Sequence, residues 1–124
     1  MRGSCRGTMV PKIPHNDKKD LIRSELLKCA TATPMQFPTF RALAARAGMP
    51  IQGPWKPILD VVSAEETNQG LPDITFLLLN RHTRYPMQIG PVRSNDLTPE
   101  QRERARREVQ KIIDRYNPGA PNPF

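Results

Sequence analysis

The chain has 124 residues, and its 19 Lys and Arg against 12 Asp and Glu give a formal net charge of +7. This length supports one domain, the 14 prolines predict a modest core with flexible ends, and the 2 cysteines are too few for a disulfide scaffold. The longest apolar run has four residues, far below the ~20 that a membrane span needs, so we expect a cytoplasmic protein without a membrane partner.

The first part of the chain predicts a flexible arm followed by a helix. Residues 1–15 contain glycine and proline without an apolar period, which is typical of a flexible basic arm. From Asn16 or Asp17, either of which can act as the N-cap, apolar side chains recur on one helical face until Pro34. The residues of this face are Leu21, Ile22, Leu26, Cys29 and Ala30. The pattern predicts an amphipathic helix of about three turns.

Two shorter helices are predicted next. Thr39 is a good N-cap and Gly48 a good C-cap for the first of them. In the second, Trp55 begins an i, i+3, i+4, i+7 series of apolar residues, and Gly70 follows its end. Two short helices joined by a turn have the layout of a helix-turn-helix, whose second helix normally enters the major groove of DNA.

The residues after Pro72 change period and predict a β-hairpin. Residues 74–79 form a short, mostly apolar segment, and residues 85–89 can pair back onto it, although Pro86 weakens the second strand. A helix-turn-helix followed by a hairpin is the winged-helix pattern. The polar turn between the two strands is then the tip of the wing, and it carries Arg81, His82 and Arg84.

The last element has the clearest helix signals in the sequence. Thr98, Pro99 and Gln101 supply an N-cap, a first helical residue and a capping box. The apolar stripe of this helix, which runs to residue 116, suits either its own domain or a second copy of the chain. Residues 117–124 predict a flexible tail. We therefore predict one α+β domain over residues 16–116, with a winged-helix-like fold of three helices, a short β-hairpin and a C-terminal helix.

Two segments of the chain carry a resemblance to a known family. Residues 39–48 (TFRALAARAG) resemble the start of the DNA-binding helix-turn-helix in the alkylguanine DNA alkyltransferase and alkyltransferase-like family. Residues 71–80 (LPDITFLLLN) fall where that family has a proline, its active-site residues and an asparagine before a turn. The resemblance covers residues 37–90, and it implies a winged-helix-like DNA-binding domain.

The departures from that family concern its chemistry. The family's Cys-His-Arg is replaced by residues 73–75 (DIT), and the carboxylate of Asp73 cannot act as the thiolate that accepts an alkyl group. The intercalating arginine of the family has no counterpart in residues 53–57 (GPWKP). Neither His15 nor His82 has a recognisable metal-ligand spacing around it. We therefore predict no enzyme, no cofactor and no metal site.

Positive side chains in the middle of the chain are the candidates for nucleic-acid contact. We predict a non-catalytic nucleic-acid-binding protein, such as a small regulator or accessory factor, whose affinity comes mainly from neutralising phosphates. The candidate residues are Arg41, Arg46, Lys56, Arg81, His82 and Arg84. The arginines of the last helix are expected on a solvated outer face instead, because acidic residues lie three or four positions from them.

Two alternatives stay open at this point. Trp55 is also explained as a core residue and Lys56 as a solvated lysine. The weakly charged middle and the proline-rich segments also suit a protein-interaction module, such as a phage or mobile-element protein that inhibits a host nucleic-acid machine. The predicted partner is therefore DNA or a protein that processes nucleic acid.

Overall fold

The structure of the chain is a computed structural model that describes residues 14–49, 55–89 and 97–124. Within these ranges the chain forms four α-helices, which are α1 (Pro14–Thr31), α2 (Phe40–Ala47), α3 (Trp55–Asn68) and α4 (Pro99–Tyr116). It also forms two 3₁₀ helices, Ile74–Leu77 and Met87–Ile89. None of the described helices combines the length and the apolar character that crossing a bilayer requires. The predicted basic arm lies outside the described residues, except for its last two positions, where α1 begins.

The predicted α+β, winged-helix-like fold is wrong, because the described residues contain no β-strand. The segment predicted as the first strand, residues 74–79, begins with a 3₁₀ helix. Its N-cap is Asp73, whose side chain accepts a hydrogen bond from the Thr75 amide at 3.1 Å. The Asp73 carbonyl accepts a second bond, from the Phe76 amide, at 3.2 Å. This local capping turns the chain at the place where an extended strand would begin.

The segment predicted as the second strand, residues 85–89, likewise contains a 3₁₀ helix. Leu79 makes two isolated bridges, a parallel one to Thr39 and an antiparallel one to Pro86. The 3₁₀ helices Ile74–Leu77 and Met87–Ile89 lie directly before and after the paired residues, so the pairing does not extend into a ladder. The polar turn therefore closes on one isolated bridge, and the predicted hairpin wing does not form.

The predicted helix ends at α2 and α4 are confirmed. Thr39 accepts a hydrogen bond from the third residue of α2, and Gly48 follows α2 with a left-handed φ of 67°. Before α4, Thr98 and Gln101 form the capping box, with hydrogen bonds of 2.8 and 3.1 Å. Helices α1 and α3 also form where the apolar period predicts them, although α1 begins at Pro14, upstream of the predicted cap.

The 3₁₀ helix Ile74–Leu77 lies at the centre of the core. Each of its residues is at most 1% exposed, and the helix contacts α1, α3 and α4. α1 contacts the other three α-helices, and α4 packs on α1 and on both 3₁₀ helices of its own domain. A short segment that is buried on all sides shows no polar alternation, so its sequence resembles that of a buried strand.

Residues 117–124 contact four parts of the domain, one of which is α4, where the Asn122 side chain donates a hydrogen bond of 2.9 Å to the Arg106 carbonyl. The Asn117 side chain donates hydrogen bonds of 3.0 and 2.8 Å to two carbonyls at the C-terminal end of α1. The Phe124 ring lies 5.9 Å from the Phe37 ring and 5.1 Å from the Tyr85 ring, measured between centroids. The last residues thus meet the segment before α2 and the residue that directly follows the polar turn.

Candidate nucleic-acid interface

The polar turn at residues 80–84 is organised by Asn80. The Asn80 side-chain oxygen accepts hydrogen bonds from the amides of His82 and the next residue, at 2.8 and 3.1 Å. The Asn80 carbonyl accepts a bond from the Arg84 amide at 2.8 Å. Arg84 has a φ of 61°, in the left-handed region that residues other than glycine rarely adopt. The turn leaves three predicted site residues exposed, Arg81, His82 and Arg84.

Backbone contacts join this turn to the start of α2. The Leu79 amide donates a hydrogen bond of 2.8 Å to the Pro38 carbonyl, and Leu79 also forms the parallel bridge to Thr39. Because Thr39 is the N-cap of α2, these contacts fix the first turn of that helix beside the polar turn. Phe40 and Arg41 are the first two residues of the helix.

A pocket of about 220 Å³ lies at this junction, and its walls are mostly apolar. Its lining residues are Thr39, Phe40, Arg41, Leu79 and Arg81. Arg41 reaches the pocket from α2, and Arg81 reaches it from the polar turn. The fold thus brings together two predicted site residues that are far apart in the chain.

The start of α3 adjoins this pocket through a pair of aromatic rings. The centroids of Phe40 and Trp55 are 5.3 Å apart, and their planes are tilted by 60°. Trp55 is 7% exposed, so its alternative interpretation as a core residue is confirmed. The neighbouring Lys56 is exposed, and its Nζ lies 3.2 Å from the carboxylate of Asp60.

Five of the predicted site residues lie at the start of α2, at the start of α3 and in the polar turn, and we call them the basic surface; they are Arg41, Lys56, Arg81, His82 and Arg84. All five are exposed. Within the described part of the chain, the three arginines of this set have no ion-pair partner, and Lys56 pairs with Asp60 alone. The basic surface therefore carries four permanent positive charges with a single acidic side chain paired to them.

Arg46, the sixth predicted residue, belongs to a different surface. It lies in the last turn of α2, donates a hydrogen bond to the Gln36 side chain, and has a nitrogen 3.9 Å from a Glu25 carboxylate oxygen. Positions five residues apart lie about 140° apart around a helix axis, so Arg46 and Arg41 point in different directions. Arg46 contacts the carboxylate of α1 and does not join the basic surface.

Residues 73–75, which the resemblance matches to the family's Cys-His-Arg, belong to a buried polar cluster. Asp73 is 8% exposed and accepts a hydrogen bond of 2.5 Å from the Ser63 hydroxyl. It also accepts bonds from the amide and the hydroxyl of Thr75, and the Gln88 side chain donates to that hydroxyl at 2.9 Å. These bonds link α3 to both 3₁₀ helices, so the carboxylate of Asp73 serves the packing of the core.

Two further observations concern a possible nucleophile and a possible metal site. Burial raises the pKa of the Cys29 thiol, which disfavours the thiolate that nucleophilic chemistry needs. Within the described ranges, His, Cys, Asp and Glu side chains form no group of three that could hold a metal ion.

Phe40 is the residue of this site that sequence reasoning missed. Phe40 stands three and four residues before Leu43 and Ala44, a spacing that predicts the buried face of α2, whereas the structure places Phe40 half-buried in the wall of a pocket beside two arginines. An aromatic residue next to Arg41 at the start of a helix was the available local signal. The second arginine, Arg81, comes from a distant segment, and no local pattern indicates that contact.

Comparisons of the chain with protein-family models, curated proteins and solved structures found no match. The resemblance of residues 37–90 to the alkyltransferase family stays a prediction. The function of the chain is therefore inferred from the geometry of the basic surface.

Proposed function

We propose that the protein binds nucleic acid without catalysing a reaction on it, and that the basic surface contacts the phosphate backbone. The observation that carries the proposal is the meeting of Arg41 and Arg81 at one pocket, with neither guanidinium paired to an acid of the described residues. Lys56, which follows the buried Trp55, and Arg84, which belongs to the same turn as Arg81, add two further exposed cations.

Phosphate is the ligand that this arrangement suits best. A guanidinium is planar and always charged, and its fork of N–H donors matches two phosphate oxygens. Exposed arginines without local acids keep these donors available to a ligand. Contacts of this kind position a protein on a strand and carry no sequence information by themselves.

The charge count sets the expected salt dependence. If the four positive side chains of the basic surface each neutralise one phosphate, the slope of log affinity against log salt is about −3 for a single strand. We expect binding to be measurable at about 50 mM salt and to fall steeply by about 200 mM.

The test uses two charge-matched double variants and a fluorescently labelled strand. Arg41→Gln with Arg81→Gln removes two cations from the basic surface, whereas Arg102→Gln with Arg107→Gln removes two exposed cations from α4. We expect the first pair to weaken binding about tenfold and to flatten the salt slope by about 1.4, because two charge-assisted contacts are lost. The α4 pair should change the affinity less than about twofold. Equal losses in both double variants would show that net charge binds the strand without a defined site.

A second experiment tests whether the partner is a protein. The chain is used to capture partners from a lysate, with and without nuclease treatment. If nucleic acid is the ligand, nuclease treatment abolishes the capture. Capture that survives nuclease, together with no binding of the labelled strand at low salt, would contradict the proposal and favour a protein-interaction module.

A further inference from the structure

The pocket between α2 and the polar turn differs from a simple phosphate site. Its walls are mostly apolar, and the ring of Phe40 forms part of them. Trp55 packs against the same ring at 5.3 Å, which holds Phe40 in place from the core side. A bare phosphate in such a pocket would lose water without gaining hydrogen bonds from the apolar walls. A nucleic-acid base with a phosphate on each side suits this pocket, because its planar ring can contact the apolar walls while the two phosphates contact the arginines.

We propose that this pocket takes one unpaired base of a single-stranded nucleic acid, stacked on Phe40, with the flanking phosphates at Arg41 and Arg81. The proposal rests on the proposed function and adds the form of nucleic acid that the surface prefers. Aromatic side chains and arginines beside a basic groove are the usual means of holding single strands. In a duplex the bases are paired and stacked on each other, so they are not available to the pocket.

The size and polarity of the pocket limit what it can distinguish. Its volume of about 220 Å³ is below the range of about 300–1,000 Å³ that is usual for drug-sized ligands, which suits one base better than two. Thr39 has the one hydroxyl among the lining residues; its oxygen accepts the α2 capping bond, which leaves one O–H donor for a base edge. The lining therefore offers stacking and few hydrogen bonds to base edges, and we expect only weak sequence preference.

The first test uses the unaltered protein and two labelled strands of equal charge. One is a thymidine strand of about 20 nucleotides, and the other is an abasic strand with the same number of phosphates. We expect the thymidine strand to bind at least about fivefold more tightly, because base stacking on one aromatic residue is lost in the abasic strand.

The second test replaces the aromatic ring while keeping apolar bulk in the pocket. Phe40→Leu should weaken binding of the thymidine strand about fivefold and leave binding of the abasic strand unchanged. Phe37→Leu is the matched control, since Phe37 is also half-buried but does not line this pocket. Circular dichroism and thermal melting check that both variants fold.

The possible results separate this proposal from the proposed function. Equal affinity of the unaltered protein for thymidine and abasic strands overturns base binding but leaves phosphate binding intact. Failure of both strands to bind at low salt overturns both proposals. Because the comparison of strands needs no variant, an unfolded Phe40→Leu protein does not prevent the decision.

Discussion

The charged side chains that join α3 to α1 and those of the basic surface have opposite surroundings. On α3, Glu65 and Glu66 both form ion pairs with Arg23 of α1, and Glu66 is only 4% exposed. On the basic surface, Arg41 and Arg81 are exposed and have no acidic partner among the described residues. The first region uses charge to join two helices, whereas the second leaves charge facing the solvent.

This difference explains why net charge alone says little about the function of the chain. A buried carboxylate such as Glu66 requires a cation, because an unpaired charge in the interior is strongly unfavourable. Arg41 and Arg81 are exposed, so the fold does not require an acidic partner for either of them. Substitutions among the buried polar contacts of α3 should therefore change stability without changing binding, and substitutions on the basic surface should do the reverse.

The largest effect is expected in the buried polar cluster, where Asp73 accepts hydrogen bonds from Ser63 of α3 and from Thr75. Asp73→Ala leaves a buried amide and two hydroxyls without their acceptor and removes the cap of the central 3₁₀ helix. We expect a loss of about 3 kcal/mol in the free energy of unfolding, measured by urea denaturation. Asp60→Ala removes an exposed carboxylate of α3 and should cost less than about 0.5 kcal/mol.

A loss below about 1 kcal/mol for Asp73→Ala would mean that the polar cluster does not hold α3 to the 3₁₀ helices. If the variant stays folded, its affinity for the labelled strand should remain within about twofold of the unaltered protein, because Asp73 is buried and does not line the pocket. A large loss of affinity in the folded variant would show that the buried polar contacts of α3 also affect binding.

Arg23→Met is expected to have the next largest effect. Arg23 contacts Glu66 at 3.1 Å, and the substitution keeps apolar bulk but leaves that buried carboxylate without its cation. We expect about 2 kcal/mol of destabilisation, less than for a fully buried pair, because the Arg23 side chain is 22% exposed. The measurement is again urea denaturation. Restored stability in Arg23→Met with Glu66→Gln would confirm that the unpaired carboxylate causes the loss, and an additive further loss would contradict it.

The sequence predicted the α-helices well because their end signals are local. Thr39 and Gly48 bound α2, and Thr98 bounds α4, through bonds that span only three to five residues. The predicted strand at residues 74–79 was wrong for a physical reason. A run buried on all sides lacks the alternation that distinguishes strand from helix, and the cap by Asp73 then decided the outcome.

The candidate site was predictable in part. Composition and turn signals singled out Arg41 and Arg81 as exposed cations, but only the fold brings both to one pocket. Arg46 carries the same charge in the same helix, yet its carboxylate partner on α1 comes from a distant part of the sequence. The local apolar pattern around Phe40 predicts a core residue and does not indicate that Phe40 forms part of the pocket wall. The missing information in each case is a contact between segments far apart in the chain.

The smallest expected effect concerns the exposed part of the α3 pairs and appears as a change with pH. The hydrogen bond from Lys19 at 2.5 Å, with a second from Arg23, lowers the pKa of the Glu65 carboxyl below its ordinary value. A carboxyl whose pKa is lower in the folded state stabilises the fold above the unfolded pKa of about 4.3, and this contribution is lost as the pH falls through the folded pKa. Glu65→Gln should therefore be less stable than the unaltered protein at neutral pH and should lose less stability between about pH 5 and pH 3. Denaturation at a series of pH values measures both slopes. Parallel slopes for the two proteins would show that Glu65 does not contribute to acid unfolding, and the α1–α3 pairs would then depend on Arg23 and Glu66 alone.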